Sequence, residues 1–164
     1  MDRVSKENYY LDIAQTVTER ATCLRRVYGA IIVKNDEIIS TGYNGAPRGR
    51  KNCVDLGYCT REAMQVPRGQ RYELCRSVHA EANAIISASR RDMVGGTIYL
   101  VGRDAATGAL LGDADSCSMC TARSSTRGWS VSSSAAPPRN TSLCRFPAGS
   151  TRMILCQIFN KSII

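Results

Sequence analysis

Four side chains in this sequence have the types and spacing to hold a metal ion and move protons beside it. His79, the only histidine, stands in Val78-His79-Ala80-Glu81, and Cys117-Ser118-Met119-Cys120 follows later in the chain. One imidazole and two thiolates can fill three positions of a tetrahedral zinc site and leave the fourth for water. Zinc so held brings the pKa of that water down to about 7, which makes a strong nucleophile at neutral pH. Glu81, two residues from His79, is placed to stay off the metal and carry protons. Each half also has a plainer reading: a lone histidine is commonly a packed or surface residue, and Cys-x-x-Cys also serves as a redox pair.

The combination decides between these readings. His-x-Glu followed by Cys-x-x-Cys, each half at a predicted helix start, is the signature of zinc hydrolases that deaminate cytosine or adenine bases. Two cysteines three apart suit one helical turn, where the helix dipole also favours thiolate. Glu81 then takes the water's proton, passes it to ring N3 and later protonates the departing ammonia.

Positioning these residues requires a layered domain. Ser5 precedes apolar or aromatic residues at Tyr9, Tyr10, Ile13, Ala14, Val17 and Ala21, which is helical spacing. Gly29–Val33 and Glu37–Tyr43, joined by Lys34-Asn35-Asp36, read as a β-hairpin, and Asn44-Gly45-Ala46-Pro47 ends its second strand. Residues 48–77 read as a long polar loop. His79 opens a helix predicted to run to about Arg90, with Ala82, Ile85, Ile86 and Ser89 toward the core. Thr97–Val101 is a short buried strand, and a Gly- and Asp-containing loop leads to Cys117. This order indicates an α/β layered domain.

Bulk properties narrow the function classes. At 164 residues with 43% apolar content the chain is one globular domain long. No apolar run approaches the roughly 20 residues of a membrane span, and Met1–Glu7 lacks the apolar core of a signal peptide, so a cytoplasmic protein is expected. The net charge of +8 is a property of the tail: Arg123, Arg127, Arg139, Arg145, Arg152 and Lys161 have no acidic neighbour beyond residue 120, which leaves residues 1–120 at +2. A nucleic-acid partner is therefore not expected. Eight cysteines in a cytosolic chain point to metal ligands before disulfides.

The stretch S-V-H-A-E-A-N-A-I, with G-Y-N-G-A-P upstream and C-S-M-C downstream, resembles the deoxycytidylate (dCMP) deaminase family. C-L-R-R-V-Y-G-A-I-I-V-K and Q-R-Y-E-L-C-R resemble its bacterial members, and the likeness covers about residues 5–120. It implies a three-layer α/β/α cytidine-deaminase-like domain with a mixed central sheet, dCMP converted to dUMP, and a homo-oligomer, often a hexamer. It also implies dCTP and dTTP as effectors, with Mg2+ accompanying an allosteric nucleotide. His79, Cys117 and Cys120 match the zinc ligands and Glu81 the proton shuttle. Asn44 matches a residue that contacts the sugar hydroxyl; it also suits a turn for its tolerance of left-handed geometry, and both can hold. Ser116 stands where the signature has Pro, and Tyr72 where many relatives have His. Relatives often carry a structural zinc near the 48–77 loop, so Cys23, Cys53, Cys59 and Cys75 are either a second zinc site or four reduced, partly buried thiols. Arg25, Arg26 and Arg48 are either grips for a 5′-phosphate or solvated surface charges. The competing functions are deamination of another cytosine or adenine substrate, such as tRNA adenosine or free cytidine, and non-catalytic zinc-dependent nucleotide sensing.

Residues 121–164 depart from the family. Six serines fall between Ser124 and Ser134, Ala-Ala-Pro-Pro follows, and no helical or strand periodicity survives, so a low-complexity, disordered tail is expected beyond a catalytic domain of residues 1–120. With a suitable choice of codons, the nucleotides for Ser124–Ala135 read one base earlier give I-I-N-A-G-L-E-R-V-V-V-R, the helix and strand that the family places there. Trp129, which has a single codon, still fits. A frameshift would leave the thiolate-bearing helix poorly supported, and impaired activity is the expected result.

Overall fold

In the computed structural model, residues 3–67 and 69–112, Cys120, and the backbone of 130–133 are described. Helix α1 (Lys6–Val17) begins at Ser5, whose hydroxyl accepts from the Asn8 N–H, and it buries Tyr10, Leu11 and Ala14. It stops four residues short of Ala21, because a 3-10 turn at Thr18–Arg20 follows. Strands β1 (Arg26–Lys34) and β2 (Glu37–Tyr43) form the expected hairpin. Asn35 and Asp36 both have positive φ, 51° and 66°, the conformation of the two-residue turn that matches strand twist.

The 48–77 segment holds two single-turn helices, α2 (Cys53–Leu56) and α3 (Thr60–Ala63), and a 3-10 turn at Tyr72–Leu74. Helix α4 (Ala80–Ile86) follows, then α5 (Arg90–Met93) and β3 (Thr97–Asp104), which extends three residues past the predicted strand. The expected helix from His79 to Arg90 is thus two. Ser87 ends the first, its hydroxyl donating to the Asn83 carbonyl, and Ser89 caps the second by accepting from the Asp92 N–H. Ala82 and Ile85 are buried as expected, but Ser89 is exposed and Ile86, the last residue of α4, is 74% exposed.

Strand β4 (Ser130–Ser133) corrects the expectation of a tail without strands: its backbone pairs parallel with β3, Thr97 to Leu100 opposite Ser130 to Ser133. The sheet order is β2-β1-β3-β4, antiparallel across the first three strands and parallel at the last, a mixed sheet.

Side-chain alternation divides β1 and β3 between two cores. Ala30, Ile32, Ile98 and Leu100 face α4 and α5, with Ala80, Ala84, Ile85 and Met93. Ile31, Val33, Tyr99 and Val101 face α1, with Tyr10, Leu11 and Ala14. Helices therefore cover both sheet faces, the expected three layers.

Both helices sit unusually close to the sheet, each over a glycine. A Cβ on Gly29 would lie 2.2 Å from the Ala14 carbonyl oxygen in α1, and one on Gly42 would lie 2.3 Å from the Ala80 carbonyl oxygen and Ala84 nitrogen in α4. On β2 the Ser40 hydroxyl also donates to the Ala84 carbonyl at 2.8 Å. Gly42→Ala must therefore push α4 off β2, and overpacking of this kind costs about 1–3 kcal/mol. A drop in thermal midpoint is expected on calorimetry; an unchanged midpoint would show that α4 can shift freely.

Candidate active site

His79 is the residue just before α4, with extended backbone (φ −69°, ψ 152°), and its side chain makes no capping bond to the helix. The chain is brought to this point by a two-bond bridge to the G-Y-N-G turn: Val78 N–H to Gly45 carbonyl at 2.8 Å and Gly45 N–H to Val78 carbonyl at 3.2 Å. Asn83, one turn into α4, donates from Nδ2 to the Tyr43 carbonyl at 2.7 Å. Turn and helix start are thus tied together.

Glu81 is 4% exposed and Cys120 1% exposed. Cys120 Sγ lies 3.5 Å from His79 Nδ1, and the ligand atoms of His79, Glu81 and Cys120 all lie within 4.8 Å of one another. Nitrogen and sulfur ligands of one tetrahedral zinc, at roughly 2.05 and 2.3 Å from the metal, stand about 3.5 Å apart. The donor pair therefore fits the metal in separation as well as type. Among the described residues no other histidine, cysteine or carboxylate group gathers three donors this closely. Cys117, the expected third ligand, lies outside the described residues.

A cavity opens in front of this group. His79 and Glu81 line it together with Asn44, Tyr28, Arg25, Arg26 and three of the four remaining described cysteines, Cys23, Cys59 and Cys75. Asn44 is buried, and its carboxamide bridges the β1 backbone: Oδ1 accepts from the Tyr28 N–H and Nδ2 donates to the Arg26 carbonyl, both at 2.8 Å. Its φ is not positive, so left-handed geometry is not why an asparagine stands here. Arg25 lines the cavity but pairs with Glu62 at 2.8 Å, and Arg26 lines it as well. Arg48 does not line it and sits exposed on the turn at Pro47–Arg50.

Cys23, Cys53, Cys59 and Cys75 are free thiols. Burial raises the Cys53 thiol above its ordinary pKa, and Cys23, Cys75 and Cys59 add to the shift. Burial also raises Cys75, against a hydrogen bond from the Ser77 N–H that pulls it down. The four therefore feel one another electrostatically, although no three of them gather as tightly as the donors around His79.

Arg61, Ser77 and the contact made by Tyr72 were not singled out by pattern. Arg61 and Ser77 line the cavity, each is 7% exposed, and Arg61 Nε and Ser77 Oγ are buried with no hydrogen-bond partner among the described residues. Ser77 is two residues ahead of His79, a proximity that could have drawn notice. Arg61 carries no such signal, because an arginine in a polar loop reads as exposed.

Residues 4–130 match the cytidine and deoxycytidylate deaminase zinc-binding region. The chain belongs to this family. Deoxycytidylate deaminase of Mycobacterium phage D29 is 38% identical over 105 residues, 61% of this chain and 80% of that protein. The chain's likeness to deoxycytidylate deaminase of Schizosaccharomyces pombe (strain 972 / ATCC 24843) is 36% over 88 residues, 54% of this chain but only 27% of the yeast protein. A solved dCMP deaminase from the cyanophage S-TIM5, in complex with dCMP and dUMP, shares the fold at TM-score 0.53 and 20% identity, covering 80% of this chain and 83% of that one.

Because Cys53 is buried and its thiol is pushed up, it should react more slowly than the half-buried Cys23 with iodoacetamide in metal-free protein at neutral pH. Timed labelling read by mass spectrometry checks this; equal rates at Cys53 and Cys23 would contradict the packing described.

Proposed function

We propose that the chain is a zinc-dependent dCMP deaminase that releases ammonia and dUMP. The observation that carries this reading is the 3.5 Å approach of Cys120 Sγ to His79 Nδ1 beside the buried carboxylate of Glu81. The names of the phage and yeast relatives supply the substrate. His79, Cys120 and Cys117 would hold the zinc, which when bound makes water acidic enough to attack C4 of the cytosine ring at neutral pH. Glu81 accepts the attacking water's proton, delivers it to ring N3, then takes the proton of the new C4 hydroxyl and passes it to the amino group, so that the C4–N bond breaks, ammonia departs and C4 becomes a carbonyl. Asn44 has one N–H beyond its backbone bonds for the sugar hydroxyl, and Arg25 and Arg26, on the cavity wall, serve the 5′-phosphate. Arg48, remote from the cavity, is left out of that role.

Finer features of the reading follow the family likeness. A second, structural zinc on Cys23, Cys53, Cys59 and Cys75 follows the same likeness, and three of the four, Cys23, Cys59 and Cys75, line one cavity. Regulation by dCTP and dTTP with Mg2+, and a homo-oligomer, belong to the same proposal. Deamination of another base is the weaker alternative, since the relatives at 36–38% identity bear the deoxycytidylate name. Non-catalytic sensing leaves Glu81 without a task.

The one-base displacement beyond residue 120 is also proposed. Strand β4 at Ser130–Ser133 overlaps the V-V-V of the displaced reading, which falls at residues 132–134.

Purified chain with zinc should convert dCMP to dUMP with loss of ultraviolet absorbance, and Glu81→Gln should keep its zinc while losing about 10²–10⁴-fold in rate. Conversion that survives Glu81→Gln would overturn the mechanism. Replacing residues 124–135 with I-I-N-A-G-L-E-R-V-V-V-R should raise zinc retention by about 10–100-fold and turnover with it. Equal zinc retention and turnover before and after that replacement would refute the displacement as a source of impairment.

A further inference from the structure

We propose that Arg61 and Tyr72 form a clamp that fixes the His79 imidazole in its metal-binding orientation, which makes Tyr72 a positioning residue. The inference rests on the reading of His79 as a zinc ligand. It goes beyond that reading by giving a task to two side chains outside the His-x-Glu and Cys-x-x-Cys pattern.

A metal-binding imidazole must present one nitrogen along one direction, and the orientation is usually fixed by contacts from its surroundings. At His79 the backbone lies just outside α4 and the helix makes no capping bond to the ring. The Tyr72 ring meets the imidazole edge to face, with centroids 5.3 Å apart and planes at 89°. Perpendicular aromatic contact is a favoured geometry, and rotation of the imidazole about its Cβ–Cγ bond would break it.

Tyr72 is held from a different direction. The Arg61 guanidinium carbon lies 4.6 Å from the centre of the Tyr72 ring, a cation–π contact in a place largely closed to water. Arg61 is itself anchored: Nη2 donates to the Pro67 carbonyl at 3.2 Å and to the Gln70 carbonyl. These two bonds fold the segment between α3 and Tyr72 back on itself, with Gln65 and Arg71 in left-handed conformation on either side. Arg61 does not read as a phosphate grip, since Nη2 is committed to backbone carbonyls and Nε is sealed from solvent. A buried cation whose Nε has no partner among the described residues is costly for the fold, and an apolar side chain would avoid that cost. Its stack on Tyr72 and its grip on the loop offset it.

The test exploits the sequence's single histidine. In full-length chain labelled with 15N-histidine, the ring nitrogens report zinc binding at this site alone and are blind to any metal on the cysteines. Zinc is titrated against a chelator of known affinity, and circular dichroism of the metal-free protein checks the fold. Tyr72→Ala should raise the zinc dissociation constant at His79 about 10–100-fold, while Tyr72→Phe, which keeps the ring, stays within about threefold of the parent. Arg61→Met should show part of the Tyr72→Ala loss. Parent-like affinity in a folded Tyr72→Ala chain would overturn the clamp. Should that variant fail to fold, Tyr72→Leu, which keeps bulk but removes the aromatic edge, decides between the same two outcomes. If zinc leaves the His79 signal of the unaltered chain unmoved, the zinc reading fails and the clamp falls with it.

Discussion

Everything at the cavity depends on how closely α4 lies on β2. Gly42 lets the helix backbone approach to a distance no side chain would permit, and the Ser40 hydroxyl and Asn83 carboxamide secure it at the middle and the end of the strand. The helix begins where β2 has turned away through Asn44 and Gly45, so His79 is delivered next to the turn that holds the opposite wall of the cavity. Glu81, in the first turn of α4, is buried and lines the cavity. The site's geometry is thus a packing result before it is a chemical one.

The parts legible in the sequence were those where chemistry or backbone geometry fixes the residue type. The proposed zinc and proton shuttle call for a histidine, a carboxylate and a cysteine, and His79, Glu81 and Cys120 are brought together. The tight turn favours Asn35-Asp36, and strands buried on both faces demand runs such as Ala30–Val33. What stayed hidden depended on distant partners. The apolar spacing ran on through Ile86, and only the capping bonds of Ser87 and Ser89 ended α4 and opened α5. Arg61 gained its role from a loop reversal in which Gln65, Gly69 and Arg71 all take positive φ, two of them without being glycines. Strand β4 was hidden because a serine-rich segment has little strand preference of its own, and an available edge of β3 decided the matter.

The cavity wall brings together groups from separate parts of the chain: the strand start at Arg25 and Arg26, the turn at Asn44, the cysteine-bearing loop, and the helix start. The loop is therefore part of the site's wall, and an ordering influence on its cysteines would be felt by whatever occupies the cavity. The two arginines meet different local demands, because Arg25 is already engaged by Glu62 on α3. That ion pair ties the loop to the strand start and is partly open to solvent, so its contribution to stability is small.

Asn44 carries a consequence for how variation in this family is to be read. Its carboxamide accepts from one β1 amide and donates to a β1 carbonyl two residues earlier, and both bonds are partly buried. Aspartate would set a second acceptor against the Arg26 carbonyl, serine and threonine are too short to bridge the two groups, and the extra methylene of glutamine would carry the amide past them. The backbone alone therefore restricts position 44 to a single amino acid. Invariance at this position among homologues would be overdetermined, and would not by itself diagnose contact with a ligand.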